Sequence, residues 1–326
     1  MQALAQDGRE IPAEVHLREI DPFTSASGPL RRLGTAPLSA TALLPGYYRI
    51  VVEFQDGGFR ELVANPGSAN MTIELVATRR ADENALAEGM VAFDSTRFTF
   101  SNYPGEASFQ GRELELPGFL LDRTEVSNSE YAHFLRATGH PAPTYWSLEP
   151  DLEAFLAAAG SQPVVGVSWK DAVAFASWSG KRLPTLAEWH LAAAGPEGRA
   201  LPYSADGASP LRGNVLVVDD VLRNTLESEW SAYRTFAAAV DSQPEAASPE
   251  GVLHLFGNVD ELTESLAVTR GGTGELEARM TDRFLIGGWW EAEALGRAML
   301  MPGYVGLGPN YASWHTGFRC ARSREP

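Results

Sequence analysis

The stretch QPVVGVSWKDAVAFASWSGKRLPTLAEWHLAAAG, residues 162–195, decides how the chain is read. Two helices are written in it. The first begins after Ser168 and stops at Gly180. Trp169, Ala172, Val173 and Ala176 recur at three- and four-residue spacing, which puts one face of that helix in a core. The second begins after Thr185 and stops at Gly195, with Thr185 and Glu188 in the pattern of a capping box. Between them Pro184 holds the preceding residues extended. Arg182 either meets a ligand or satisfies loop carbonyls from inside the fold. Glu188 stands in a first helical turn, where capping and the helix dipole account for a carboxylate. Trp189 reads as core.

Working outward, helices are expected at 127–138, ended by Gly139, and at 152–159, ended by Gly160. Beyond Gly195 the periodicity fades, and loops with short strands are expected up to residue 326. Upstream the texture is β. AEVHL (13–17), YYRIVVEF (47–54), RELVA (60–64) and MTIELVA (71–77) are short runs rich in β-branched and aromatic residues. Leu44-Pro45-Gly46, Asp56-Gly57-Gly58 and Asn65-Pro66-Gly67 separate them as turns. This spacing predicts a small antiparallel β-sandwich over 1–80. A polar linker follows at 81–89, then a mixed α+β domain over 90–326.

Composition narrows the function classes. The formal net charge is −16 and the pI about 4.8, so the surface repels nucleic-acid phosphates and anionic membranes. Carboxylates in such number suit hard divalent cations. Residues 1–20 have no apolar core of a signal peptide, and no apolar run reaches the length of a membrane span. Cys320 is the single cysteine, which rules out an intrachain disulfide and any paired-thiol metal site. It reads as a small buried hydrophobe.

Four blocks in order carry a resemblance. They are GFLLDRTEVSNSEYAHF (118–134), residues 162–195, SPEGVLHLFGNVDELTE (248–264), and the pair GGWW (287–290) and GFRCAR (317–322). Together they resemble the formylglycine-generating, sulfatase-modifying-factor family. Residues 33–38 and 44–49 resemble the PEGA-type module of bacterial surface proteins. The first resemblance implies a C-type-lectin-like domain with little regular secondary structure. It also implies a structural calcium ion on Asn258, the Val259 carbonyl and Glu261, within GNVDELTE, where Asp260 replaces the family's usual tryptophan. The residues there offer three oxygen donors within four positions, which hard cations want; the alternative is a turn bonding only backbone. A second calcium site would fall near Asn214 and Asp241.

The resemblance breaks at the chemistry. The family's oxidase holds copper on two cysteines after its GGSW-like segment, and the ungapped matching positions here are Ala292 and Arg297. Neither side chain supplies a soft thiolate, so no copper is expected. The six histidines lack the HxxxHxE spacing of iron-dependent relatives; His133 and His140 flank a helix end without forming an evident pair. The remaining ligand-binding candidates are Trp289, Trp290, Glu291, Glu293, Arg297, Tyr311, Trp314 and His315, an aromatic set with a few polar groups that suits a peptide, glycan or small-molecule ligand. Glu291 or Glu293 would be the general base of any residual chemistry.

Three functions follow as expectations. The first is a non-catalytic binding or sensor module of a bacterial extracytoplasmic protein, attached to a membrane-anchored kinase or surface protein. The second is an oxidoreductase of the same family using non-cysteine chemistry. The third is a retroelement-diversified, lectin-like binding protein with its variable surface at 289–315.

Overall fold

The computed structural model describes residues 1–21, 26–39, 41–66, 75–79, 84–100, 111–203, 212–215, 228–270, 275–288, 290 and 302–326. Four strands, β2 (Ala13–Glu19), β3 (Arg31–Ala36), β4 (Tyr48–Phe54) and β5 (Phe59–Ala64), form an antiparallel sheet in the order β3-β2-β4-β5. A parallel pair, β1 (Gln2–Ala5) and β6 (Val76–Arg79), covers one face of it. Val15, Leu17, Ile50, Val52, Phe54 and Leu62 meet Ala3 and Ala77 between the layers. Strands β1 and β3 gave little signal in sequence, because QALA is short and RRLGTA lies half in solvent. Of the expected strand at 71–77, residues 71–74 lie outside the described residues.

β4 reads YRIVVEF and is buried almost throughout. Its run of apolar residues does not alternate because the sheet is covered on both faces. Ile50 and Val52 face the small core, whereas Arg49 and Glu61 of β5 face Glu264 and Arg182. The Tyr47 hydroxyl donates to the Glu264 carbonyl at 2.6 Å, and Arg49 Nη2 donates to Glu264 Oε1 at 2.7 Å. Arg182 Nε donates to Glu61 Oε2 at 3.1 Å. The Ser323 hydroxyl and N–H donate to the same carboxylate at 2.8 and 3.1 Å. The joint is therefore a buried ionic network. Within the segment expected as a polar linker, residues 84–87 form a short 3-10 turn, and Leu86 is buried there against Gly180.

The remainder of the chain starts with a three-stranded sheet in the order β15-β10-β7, built from β7 (Met90–Phe93), β10 (Phe119–Asp122) and β15 (Ala321–Ser323). An antiparallel pair, β8 (Thr96–Thr99) and β9 (Glu113–Leu116), lies beside it. The four expected helices are present as α1 (Asn128–Thr138), α2 (Leu152–Ala159), α3 (Trp169–Ser179) and α4 (Leu186–Ala194). Capping boxes at Ser127/Glu130, Ser168/Asp171 and Thr185/Glu188 start three of them, and left-handed glycines at 139 and 180 close two. All nine residues of α4 are buried, so it runs through the core.

The region after Gly195 is more regular than its sequence suggests. It holds α5 (Glu229–Phe236) and the sheet β13-β12-β11-β14, from β11 (Asp260–Arg270), β12 (Leu276–Ile286), β13 (Pro302–Leu307) and β14 (Thr316–Gly317). The signal failed because β11 reads DELTESLAVTR. Its Glu261 and Glu264 look like surface residues, yet both are fully buried by ion pairs made far along the chain. The result is a mixed α+β fold with several small, mainly antiparallel sheets and few helices.

Candidate functional site

The loop before β11 is built on two left-handed residues. Gly257 has φ +85°, and a Cβ there would sit 2.4 Å from the Asn214 carbonyl oxygen, so only glycine fits. Asn258 follows at φ +64° and is fully buried. Its Oδ1 accepts from Asn214 Nδ2 and from the Ala238 N–H, both at 2.9 Å, and its Nδ2 donates to Glu125 Oε1 at 2.8 Å. Asn214 Nδ2 also donates to the Phe236 carbonyl. Asn258 thus ties four segments together.

Glu261 lies deeper. Arg319 Nη2 and Nε donate to its two oxygens at 2.6 and 2.7 Å, and Trp189 Nε1 donates to Oε2 at 2.9 Å. Burial works against the Arg319 charge, but Glu261 outweighs it and raises the guanidinium above its ordinary proton affinity. As arranged, the side-chain oxygens of Asn258 and Glu261 do not fit a calcium ion: one is saturated by N–H donors, the others face a guanidinium that would repel a cation. Val259 is buried between them, and Asp241 is an exposed turn residue. Among the described residues no group of three or more His, Cys, Asp or Glu side chains could hold a metal.

The aromatic candidates do come together. Trp290 is 1% exposed and packs against Trp314 at 5.2 Å and Tyr233 at 6.3 Å between ring centroids, so it forms the floor rather than the surface. Trp314 stands edge-on to His315 at 5.0 Å. His315 Nδ1 lies 3.0 Å from Asp260 Oδ2, and the Asp260 N–H donates to the His315 carbonyl, because β11 runs parallel to β14 at this register. Asp260 is buried, and among the described residues its Oδ1 has no partner. A carboxylate there fixes the imidazole's tautomer and orientation beside the aromatic rings.

Tyr311, 39% exposed, is the outermost of the set. Sequence reasoning missed Tyr145, which stacks on Trp230 at 5.6 Å and 9°. Burial first, then the Glu229 and Tyr311 charges, raise its phenol's proton affinity, while a hydrogen bond from the Trp314 backbone opposes them. Gly166, at φ +73°, leaves room for that ring, since a Cβ would meet it at 2.6 Å. The only sequence signal for Tyr145 was an aromatic pair, Tyr145-Trp146, in a proline-bounded segment. Trp289, Glu291, Glu293 and Arg297, with the cysteine-equivalent Ala292, lie outside the described residues. His133 and His140 do not pair: the first meets Trp178 and the second Asp171.

Cys320 is fully buried. Its N–H donates to Asp122 Oδ2 at 3.0 Å, and burial, then the Asp122 charge, push its thiol well above the ordinary range.

The chain is similar to formylglycine-generating enzymes, with 32% identity over 157 residues to that of Thermomonospora curvata, covering 36% of this chain and 52% of the relative. Against the Streptomyces coelicolor enzyme the identity is 34% over 129 residues, covering 28% and 41%. The chain thus spans about half or less of the length of these curated relatives. It is also similar to the serine/threonine-protein kinase Pkn1 of Chlamydia trachomatis, 27% over 179 residues, covering 44% of this chain and 28% of the kinase. The crystal structure of CarF shares the fold, with a TM-score of 0.50 and 21% identity, covering 72% of this chain and 98% of that one. The model of the sulfatase-modifying factor enzyme 1-like domain matches residues 76–324, and the chain belongs to that family.

Proposed function

We propose that this chain is a non-catalytic ligand-binding or interaction module of a bacterial extracytoplasmic protein, built on a formylglycine-generating-enzyme-like domain. The observation that carries the reading is the fate of its only thiol. Cys320 is sealed in the core beside Asp122, and no second cysteine exists to complete a copper pair. The ligand surface is the aromatic wall of Tyr145, Tyr311 and Trp314, with His315 held by Asp260 as its polar anchor. Rigid aromatic side chains beside one oriented polar group suit a peptide, a glycan or a small molecule. The similarity to a kinase of which the matched segment covers 28% supports attachment to a signalling protein.

The test is a thermal-shift screen against peptide, cell-wall and glycan panels, paired with cysteine oxidation on a sulfatase-type peptide. A hit that Tyr311→Ala abolishes without changing the melting temperature of the free protein supports the reading. Formylglycine formation by the copper-loaded protein would refute it. The Asp260–His315 pair favours one second reading, proton-transfer or metal-assisted chemistry at the same wall. Elemental analysis of protein purified without chelator separates the two, because stoichiometric copper or iron would support the second and their absence would count against it.

A further inference from the structure

A cleft of about 580 Å³ opens on the joint between the N-terminal sheet and the remainder of the chain. Arg18 of β2 and Arg49 of β4 line it from one side, Thr185, Glu188 and Ser323 from the other. The charges around it fall into an uneven account. Arg49 is paired with Glu264 and Glu61, and Arg182 with Glu188 and Glu61. At the rim Arg324 is paired with Asp94. These pairs use the buried carboxylates Glu61, Glu188 and Glu264; Glu325 also lines the cleft, and among the described residues Arg18 has no ion pair. Among the described residues its Nε is buried without a hydrogen-bond partner, as is the Nε of Arg49 beside it.

An unpaired guanidinium at a half-buried site is costly, and chains rarely keep one without an anion to meet it. We infer that this cleft is a binding site for a small ligand carrying an oxyanion, a phosphate or a carboxylate, with Arg18 as its principal contact. The guanidinium fork suits such groups bidentately, and the Thr185 hydroxyl at the cleft wall is suited to one of the ligand's remaining oxygens. The volume is that of a small-metabolite pocket. Burial, and then the Arg49 charge, lower the proton affinity of Arg18, with the Glu61 charge opposing them. The site is independent of the aromatic wall, so either reading can fail alone.

The experiment is calorimetry and thermal shift on the full chain with inorganic phosphate and with citrate as probes, on the wild type and on Arg18→Gln. Without a probe, R18Q should melt at or above the wild-type temperature, because the side chain makes no hydrogen bond among the described residues. With a probe, the wild type should bind and R18Q should lose about tenfold or more in affinity. Binding of phosphate alone, or of citrate alone, assigns the ligand's acidic group. A destabilised R18Q would show that Arg18 serves the fold and would overturn the inference. So would equal affinity in the two proteins, or no binding of either probe in the millimolar range.

Discussion

Replacing Glu61 by glutamine should loosen the joint between the two parts of the chain, and the geometry sets the size of the effect. Glu61 is 6% exposed and faces both Arg49 and Arg182. Burial alone would raise its proton affinity. The Arg182 charge, then Arg49, then the Ser323 donors reverse this and hold the carboxyl at about 2 against an ordinary 4.5. At roughly 1.4 kcal/mol per tenfold in proton affinity, that difference is worth about 3 kcal/mol of stability. Because the folded value is depressed, this stability is fully present above pH 4.5 and is lost as the pH falls towards 2. In E61Q it is absent at neutral pH. The loss should stay below the ~5 kcal/mol of a stranded buried charge, since Arg49 keeps Glu264 and Arg182 keeps Glu188. Urea unfolding followed by tryptophan fluorescence at neutral pH and through the acid range measures both quantities. An unchanged midpoint for E61Q at pH 7, or an acid slope identical to the wild type's, would refute the reasoning.

Other expectations follow from single contacts. Arg319→Leu strands Glu261 in a fully buried position and should cost about 3–5 kcal/mol in chemical denaturation; a loss under ~1 kcal/mol would mean the pair is dispensable. Cys320 should resist iodoacetamide in the native protein at pH 8 and react fully in denaturant; rapid native labelling would contradict its burial and raised proton affinity. Gly257→Ala places a Cβ against the Asn214 carbonyl in a left-handed backbone and should destabilise by about 2 kcal/mol or more, read as a lowered melting temperature.

What the sequence alone determined was local or compositional. Helices α1 to α4 were legible because Ser127, Ser168, Thr185 and the following glycines act within a few residues of themselves. The strands at 13–17, 47–54 and 60–64 were legible from β-branched runs between turns. The family was legible from ordered blocks, and the missing copper pair from a count of one cysteine. The tertiary structure alone decided where the charges went. Glu61 and Arg182 are 121 residues apart, Arg49 and Glu264 are 215 apart, and a buried glutamate looks the same in sequence as a solvated one. For that reason β11 read as surface and Asn258 and Glu261 read as free oxygen donors, when side chains of distant loops, Asn214, Glu125 and Arg319, bond to them. Tyr145 joined the aromatic wall, and Arg18 was left without an ion pair among the described residues, by the same cause: partner choice for a side chain is set by which segments the topology lays side by side, and that information is spread over the whole chain.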